Sequence, residues 1–188
     1  MEIIQKLKMG ITLISFLFSS MGFSSIHQKK IEGVDLLSSR KIEIPFESKV
    51  GTVLLFLSAH CPCSMSHEPI IKKLAEDFKG FRFFAIHSNQ NETEDETKKH
   101  FIQANLGFPI LQDEGAEIAD HFGALKTPHS FILNSQGQIV FQGGIDESQN
   151  AENAKKPYLR WALEALSHGQ LPPESKVRTL GCIIQRSK

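Results

Sequence analysis

The sequence predicts an α/β fold with three layers, in which helices cover both faces of a mixed central sheet, followed by a C-terminal extension. Segments typical of strands and of helices alternate along the chain until a final hairpin and helix. Residues 53–57 are apolar at every position, as expected for a central strand whose two faces are both covered. At 188 residues the chain is long enough for one domain with a substantial core.

Strands are predicted where apolar residues alternate or run together between turn signals. Residues 41–46 alternate and indicate a half-buried strand, whereas residues 25–39 are weakly patterned and indicate a loop or a short edge segment. The turn at residues 134–137 joins two strands in an antiparallel hairpin. The strands expected are residues 41–46, 53–57, 81–86, 108–111, 129–133 and 138–143.

Helices are predicted where apolar residues recur at helical spacing. Pro69 lies inside the first of them and is expected to kink it. Thr93 begins a Thr-x-x-Glu capping box at the start of the second. The helices expected are residues 64–78, 93–104, 114–122 and 156–167, and residues 170–188 form the C-terminal tail.

The N-terminal residues have the pattern of an export signal. Lys6 and Lys8 precede or flank an apolar stretch at residues 10–18, and small residues suited to a cleavage site follow. The apolar stretch is shorter than the about 20 residues that a bilayer-spanning helix needs. We therefore predict a signal peptide or N-terminal membrane anchor over residues 1–24, export to the periplasm or the outside of the cell, and a domain over residues 25–188.

Charge and cysteine content narrow the functional classes. Lys plus Arg and Asp plus Glu both total 21, so the formal charge is zero and no nucleic-acid partner is expected. The cysteines are Cys61, Cys63 and Cys182, and export would place them in an oxidising compartment. Because three is an odd number, at least one thiol must stay unpaired, bind a metal or pair with another molecule. Cysteine chemistry is therefore expected rather than a disulfide-stapled scaffold.

Cys61 lies at the junction between the buried strand and the first helix. In such a fold the functional site lies beyond the carboxyl ends of the central strands, so we expect the Cys61 sulfur to be accessible at that edge. The unpaired amides and the positive dipole end of the helix favour a thiolate there. His60 would either stabilise this thiolate as an imidazolium or be an ordinary loop residue.

Four segments in this order resemble the thioredoxin-like superfamily, and in particular its redoxin branch of alkyl hydroperoxide reductase, thiol-specific antioxidant and thiol-disulfide oxidoreductase relatives. The segments are residues 56–61, 127–134, 137–146 and 158–163, and the resemblance extends from about residue 34 to residue 184. It implies a thioredoxin-like three-layer sandwich with a cis peptide bond before Pro128 that faces the reactive cysteine. It also implies that Thr127 and Pro128 hold an extended protein partner through backbone hydrogen bonds.

The sequence departs from two motifs of this superfamily. In place of Trp-Cys-x-x-Cys, it has His60 at the tryptophan position and Ser64 at the second cysteine position, with a cysteine moved to position 63. A disulfide between Cys61 and Cys63 would close a small, strained ring and would be easily reduced. The Thr and Pro that peroxiredoxins carry before their peroxidatic cysteine are also missing, since Ser58 and Leu54 take those positions relative to Cys61.

These observations together predict an exported thiol-disulfide oxidoreductase of the redoxin type. The Cys61 thiolate would attack a partner disulfide, and Cys63 or Cys182 would resolve the mixed disulfide. The partner would be a protein disulfide or thiol, or a thiol reductant. No cofactor is required for this reaction.

Two alternative functions are kept open. Thiolates at Cys61 and Cys63 with a histidine from position 60, 67 or 129 suit Cu(I), as in a copper-binding or copper-delivery protein similar to the SCO-type chaperones. His67 has ligand spacing from Cys63 on one helical face, and His129 follows Pro128. That family spaces its cysteines three residues apart, unlike this chain. For Cys182 three roles stay open: a third metal ligand, the resolving cysteine of the exchange reaction, or a buried structural thiol. The other alternative is a thiol peroxidase with antioxidant activity.

Overall fold

The computed structural model describes residues 30–186, so the predicted signal or anchor segment at residues 1–24 lies outside the described part of the chain. Within that part, no helix has the length and apolar character needed to cross a membrane. The strands are β1 (Lys30–Asp35), β2 (Lys41–Pro45), β3 (Gly51–Leu57), β4 (Arg82–His87), β5 (Ile110–Gln112), β6 (Lys126–Thr127), β7 (His129–Asn134), β8 (Ile139–Gly143) and β9 (Cys182–Ile183). The α-helices are α1 (Pro62–Asp77), α2 (Glu94–Ala104), α3 (Glu117–Phe122) and α4 (Tyr158–Ser167).

Strand β3 is the centre of the fold, and all seven of its residues are buried. It lies parallel to β4 on one side and antiparallel to β7 on the other. The main sheet has the strand order β2-β1-β5-β4-β3-β7-β8. The predicted mixed central sheet is therefore confirmed.

The two faces of β3 face two separate cores. Val53, Leu55 and Leu57 pack in the core that contains the apolar residues of α1, α2 and α4. Leu54 and Phe56 pack in the core on the opposite face, with apolar residues of α3, β1 and β2. Helices thus cover both faces of the sheet, which confirms the three-layer α/β architecture and explains why this strand is apolar throughout.

The prediction for residues 25–39 was wrong in one respect, because residues 30–35 form strand β1 inside the sheet. It pairs with both β2 and β5, so β2 is the edge strand. Only Ile31 and Asp35 of β1 are fully buried, which leaves too few apolar positions to show an alternation. The Asp35 carboxylate accepts hydrogen bonds from the amides of Ile110 and Ser38. The hydrogen bonds of this polar side chain therefore help to hold β1 against β5, where apolar packing holds the other strands.

A buried ion pair ties α1 to the loop that follows β8. The Nε2 atom of His67 lies 2.9 Å from Asp146 Oδ2, and the two side chains are 1% and 3% exposed. Nδ1 of the same ring lies 2.6 Å from the carbonyl oxygen of Cys63. Burial alone would lower the pKa of His67, but the hydrogen bonds to Asp146 and Cys63 outweigh it and hold that pKa above its ordinary value.

We expect Asp146→Ala to lower the free energy of unfolding by about 3 kcal/mol or more, because it leaves a buried imidazole without its partner. Urea denaturation followed by circular dichroism measures this change. Asp77→Ala is the matched control, since it removes only the surface ion pairs with Arg160 and Lys73 and should cost about 1 kcal/mol or less. Equal losses in the two variants would contradict the structural importance of the His67–Asp146 pair.

Candidate active site

Cys61 is the N-cap residue of α1. Its backbone is extended, and its Sγ accepts a hydrogen bond from the Ser64 amide at 3.4 Å. Pro62 then occupies the first position of the helix, where its missing N–H costs no hydrogen bond. A thiolate at this position is stabilised by the amides and the positive end of the helix dipole. The sequence therefore placed Cys61 correctly at the start of the helix.

The cis peptide bond implied by the family resemblance is present between Thr127 and Pro128. The carbonyl oxygen of Thr127 lies 3.1 Å from Cys61 Sγ and accepts a hydrogen bond from the thiol. Strand β7 begins directly after Pro128 and pairs with β3, which brings His129 opposite Phe56. The neighbouring strands β3 and β7 thus bring the cysteine loop and the cis-proline loop to the same edge of the sheet.

The sulfur atoms of all three cysteines lie within 4.8 Å of one another. Cys61 and Cys63 belong to the start of α1, whereas Cys182 is brought in by strand β9, which pairs antiparallel with β6 so that Cys182 lies opposite Thr127. All three are free thiols. The cluster therefore contains both a thiol that could attack a partner disulfide and a neighbouring thiol that could resolve the mixed disulfide.

The three thiols differ in acidity because ionisation of one of them disfavours a second negative charge on its neighbours. Burial opposes ionisation of Cys61, but hydrogen-bond donors around the sulfur, foremost the Cys182 thiol and the Ser64 amide, outweigh it, and the pKa of Cys61 lies below its ordinary value. Burial and the charge of Cys61 raise the pKa of Cys63. Burial and the interaction with Cys61 raise the pKa of Cys182 to about 12. Cys61 is therefore the first of the three to become a thiolate.

The expectation that the Cys61 sulfur is accessible was wrong, because the C-terminal tail lies over it. Cys61 is only 1% exposed and Cys63 is 9% exposed. Strand β9 covers Cys61, and Cys182 itself is partly exposed. A cavity of about 140 Å³ beside these residues is lined by Cys61, Cys182, His60 and Glu92 among others. The sulfur is covered by the protein's own tail and not by the hydrocarbon core.

Glu92 is a site residue that sequence reasoning missed. Its carboxylate accepts hydrogen bonds from the Ala59 amide at 2.8 Å and from the Ser58 hydroxyl, and it lies 3.1 Å from His87 Nε2. Burial alone would raise the pKa of Glu92, but the hydrogen bonds from His87 and Ser58 outweigh it and lower that pKa. The ionised carboxylate therefore holds the loop that leads to Cys61. Its sequence neighbours are all polar, so no pattern distinguished it from a solvated carboxylate.

The cluster of close-lying ligand atoms at this site consists of the three sulfurs and includes none of the three histidines considered as ligands or thiolate stabilisers. The exposed His60 lines the same cavity as Cys61, and its Nε2 lies 3.9 Å from a carboxylate oxygen of Glu96. Both ring nitrogens of His67 are engaged, one by the Asp146 carboxylate and the other by the Cys63 carbonyl, so in this structure neither is directed at the sulfur cluster as a ligand. The ring of His129 packs on Phe131, and burial and the charge of Lys176 lower the pKa of His129 to about 4.

A cysteine at a helix N-terminus, opposite a cis-proline at the edge of a mixed α/β sheet, defines the thioredoxin-like class. The redoxin family model matches residues 37–156, and the chain belongs to the redoxin family. The predicted family and fold are therefore confirmed.

Similar proteins support the same class of enzyme. Thiol-disulfide oxidoreductase ResA from Halalkalibacterium halodurans is 27% identical over 150 residues, which are 77% of this chain and 84% of that protein. Sporulation thiol-disulfide oxidoreductase A from Bacillus subtilis is 29% identical over 59% of this chain and 65% of its own length. The crystal structure of an uncharacterized conserved protein from Geobacillus kaustophilus matches with a TM-score of 0.76 and 27% identity, covering 84% of this chain and 89% of that one. The predicted enzyme class, thiol-disulfide oxidoreductase, is confirmed at this level.

We expect one thiol of the reduced protein, that of Cys61, to titrate below the ordinary pKa of a free cysteine. Because the folded protein favours the Cys61 thiolate, Cys61 should stay ionised at pH values where Cys63 and Cys182 are already protonated. The ultraviolet absorbance of thiolates measures the titration. The low-pKa step should vanish in Cys61→Ser and persist in Cys63→Ser, and its survival in Cys61→Ser would contradict this assignment.

Proposed function

We propose that the protein is an exported thiol-disulfide oxidoreductase in which Cys61 is the attacking thiolate. The observation that carries this proposal is the cluster of three sulfurs within 4.8 Å of one another, beside the carbonyl of Thr127. Export is supported by the signal-like pattern of residues 1–24 and by a function that depends on oxidisable cysteines.

The reaction has two exchange steps. The Cys61 thiolate attacks one sulfur of a partner disulfide, and the other partner sulfur leaves as a thiolate. Cys63 or Cys182 then attacks the Cys61 sulfur of the mixed disulfide, so that the second partner sulfur leaves and an intramolecular disulfide forms. The partner gains two electrons and two protons. A thiol reductant would return the oxidised protein to its dithiol state.

The acidities of the three thiols suit this order of steps. The charge of the Cys61 thiolate is one reason why the pKa values of Cys63 and Cys182 are raised. That charge is lost when Cys61 enters the mixed disulfide, which makes a neighbouring thiol easier to deprotonate. The resolving thiol thus becomes more reactive at the stage where it is needed. Thr127 and Pro128 would hold an extended segment of the partner beside Cys61.

We expect Cys61→Ser to reduce insulin disulfides no faster than the buffer with reductant alone, because the variant lacks the attacking thiolate. Turbidity of precipitating insulin chains measures the rate. Cys63→Ser is the control, since it leaves Cys61 and a second thiol, Cys182, in place and should keep measurable activity. Wild-type activity in Cys61→Ser would show that the enzyme works through another group.

A second candidate function, binding or delivery of copper, is favoured by the same three sulfurs. Thiolates are soft ligands that select Cu(I), and three of them within 4.8 Å could surround one ion. The ligand set would be Cys61, Cys63 and Cys182, in place of the cysteine and histidine set expected from the sequence. Binding of a cation would also relieve the repulsion that raises the pKa values of two of these thiols.

We expect the reduced protein to retain one Cu(I) per chain against bicinchoninate if this second function holds, because three thiolates outcompete a nitrogen chelator for a soft ion. Cys182→Ser should lose this retention, whereas His60→Gln should keep it, since His60 lies outside the cluster. Absorbance of the copper–bicinchoninate complex measures the competition. Complete loss of copper from the wild-type protein would exclude a copper function of this site.

A further inference from the structure

The C-terminal strap, residues 175–186, crosses the active site as an irregular segment that contains the two-residue strand β9. It first joins the edge of the sheet, where the Gln142 amide donates to the Ser175 carbonyl at 2.9 Å and the Val177 amide donates to the Gln142 carbonyl at 3.0 Å. Strand β9 then pairs with β6, and the Ile184 amide donates to the Leu125 carbonyl at 3.0 Å. The strap thus occupies the open edge of β6 beside the cis-proline.

The end of the strap is fixed by both apolar and polar contacts. Ile184 is 2% exposed and belongs to the core on the α3 face of the sheet. The Gln185 amide donates to Asn89 Oδ1 at 2.8 Å, and the Gln90 amide donates to the Gln185 carbonyl at 2.9 Å. Arg186 Nη2 lies 2.6 Å from Asp120 Oδ1. The path over Cys61 is therefore a specific docked position.

Gly181 shows how closely the strap approaches the site. A Cβ atom on Gly181 would lie 1.9 Å from the Thr127 carbonyl oxygen and 3.3 Å from the Pro128 nitrogen. Its φ of 150° is also one that other residues rarely adopt. Only glycine fits here, so the backbone of the strap is in contact with the backbone before the cis-proline. No room is left for a second strand at that place.

We propose that the C-terminal strap is an internal competitor of the protein partner, and that Cys182 on this strap is the thiol that resolves the mixed disulfide. This inference rests on the proposed function, which places an extended partner segment at Thr127. The strap takes the same edge and covers Cys61, so a partner disulfide reaches Cys61 only when the strap has left.

The return of the strap then completes the reaction. With the partner joined to Cys61, rebinding of β9 to β6 brings Cys182 back beside the Cys61 sulfur. The Cys182 thiolate attacks that sulfur, the bond from Cys61 to the partner breaks, and the partner leaves as a thiolate that takes up a proton. A Cys61–Cys182 disulfide forms. The strand that displaces the partner is thus the strand that carries the resolving thiol.

Cys63 is less suited to this step. Only Pro62 separates it from Cys61, so a disulfide between the two would close a small, strained ring at the start of α1. A bond between them would require the first turn of α1 to distort. Cys182 approaches from a different strand, which can shift without breaking the helix.

The contacts that hold the strap over the site are few enough for it to detach without unfolding of the domain. Strand β9 has only two residues, and Ile183 is 65% exposed. The ion pair between Arg186 and Asp120 lies at the surface, where such pairs contribute little. Opening of residues 181–186 therefore disrupts a short ladder, the two backbone hydrogen bonds of Gln185 and one buried side chain, Ile184, and leaves the main sheet intact.

We expect Gly181→Ala to raise the rate at which iodoacetamide alkylates Cys61 in the full-length reduced protein by about tenfold or more, because the added Cβ expels the strap. Peptide mass spectrometry measures the rate at a pH above the ordinary thiol pKa, so that changes in ionisation do not mask access. Ile184→Ser should also raise the alkylation rate of Cys61, because it removes the buried side chain that anchors the strap. Gly80→Ala is the control, since its Cβ would meet only ordinary contacts with Val50. Equal rates in the wild-type protein, Gly181→Ala and Ile184→Ser would overturn the proposal.

Single-turnover reaction with insulin tests the resolving role. Cys182→Ser should accumulate a mixed disulfide between Cys61 and an insulin chain, seen by mass spectrometry after acid quenching, whereas Cys63→Ser should not. The opposite pattern would assign resolution to Cys63 and overturn this part of the proposal. The double variant Cys63→Ser/Cys182→Ser has no thiol left to resolve the intermediate. If it forms no mixed disulfide at Cys61, the proposed function itself fails, and the alkylation rates still decide whether the strap covers the site.

Discussion

The site depends on two backbone groups that meet at one sulfur. The Ser64 amide of α1 lies 3.4 Å from Cys61 Sγ, and the Thr127 carbonyl, placed by the cis bond to Pro128, lies 3.1 Å from it. These groups come from different parts of the chain and are held together because β3 and β7 are neighbours in the sheet. The buried carboxylate of Glu92 fixes the loop before Cys61 from the other side. A thiol held in this way has a defined direction of attack, which exchange chemistry requires.

The three thiols of the site are coupled, because the ionisation of one changes the pKa values of the others. A single thiolate at Cys61 is stabilised by neighbouring hydrogen-bond donors, and the same charge makes Cys63 and Cys182 harder to ionise. The cluster therefore favours one attacking sulfur at a time, although all three lie within reach of one another. Both proposed functions use this property, since either a new covalent bond or a bound soft cation removes the charge that separates the three acidities.

Much of this architecture could be predicted from the sequence, because it follows from local patterns. The apolar run of β3, the capping box at Thr93 and the placement of Cys61 before α1 each depend on a few adjacent residues. The pairing of β9 with β6 joins positions that are far apart in the chain, Cys182 and Thr127, and neither strand has more than two residues. Such a short ladder has no periodicity to detect. The burial of Cys61 and the role of the tail were therefore seen only in three dimensions.

The closed site and the reaction are connected through the C-terminal strap, which both shields the Cys61 sulfur and brings the third sulfur to it. This arrangement would keep a reactive thiol from unselective oxidation until a partner competes for the edge of β6. Disulfide mapping of the full-length protein after oxidation in air tests the account most directly. The account predicts a disulfide between Cys61 and Cys182 with Cys63 left as a free thiol, and an oxidised protein in which Cys61 is still reduced would contradict it.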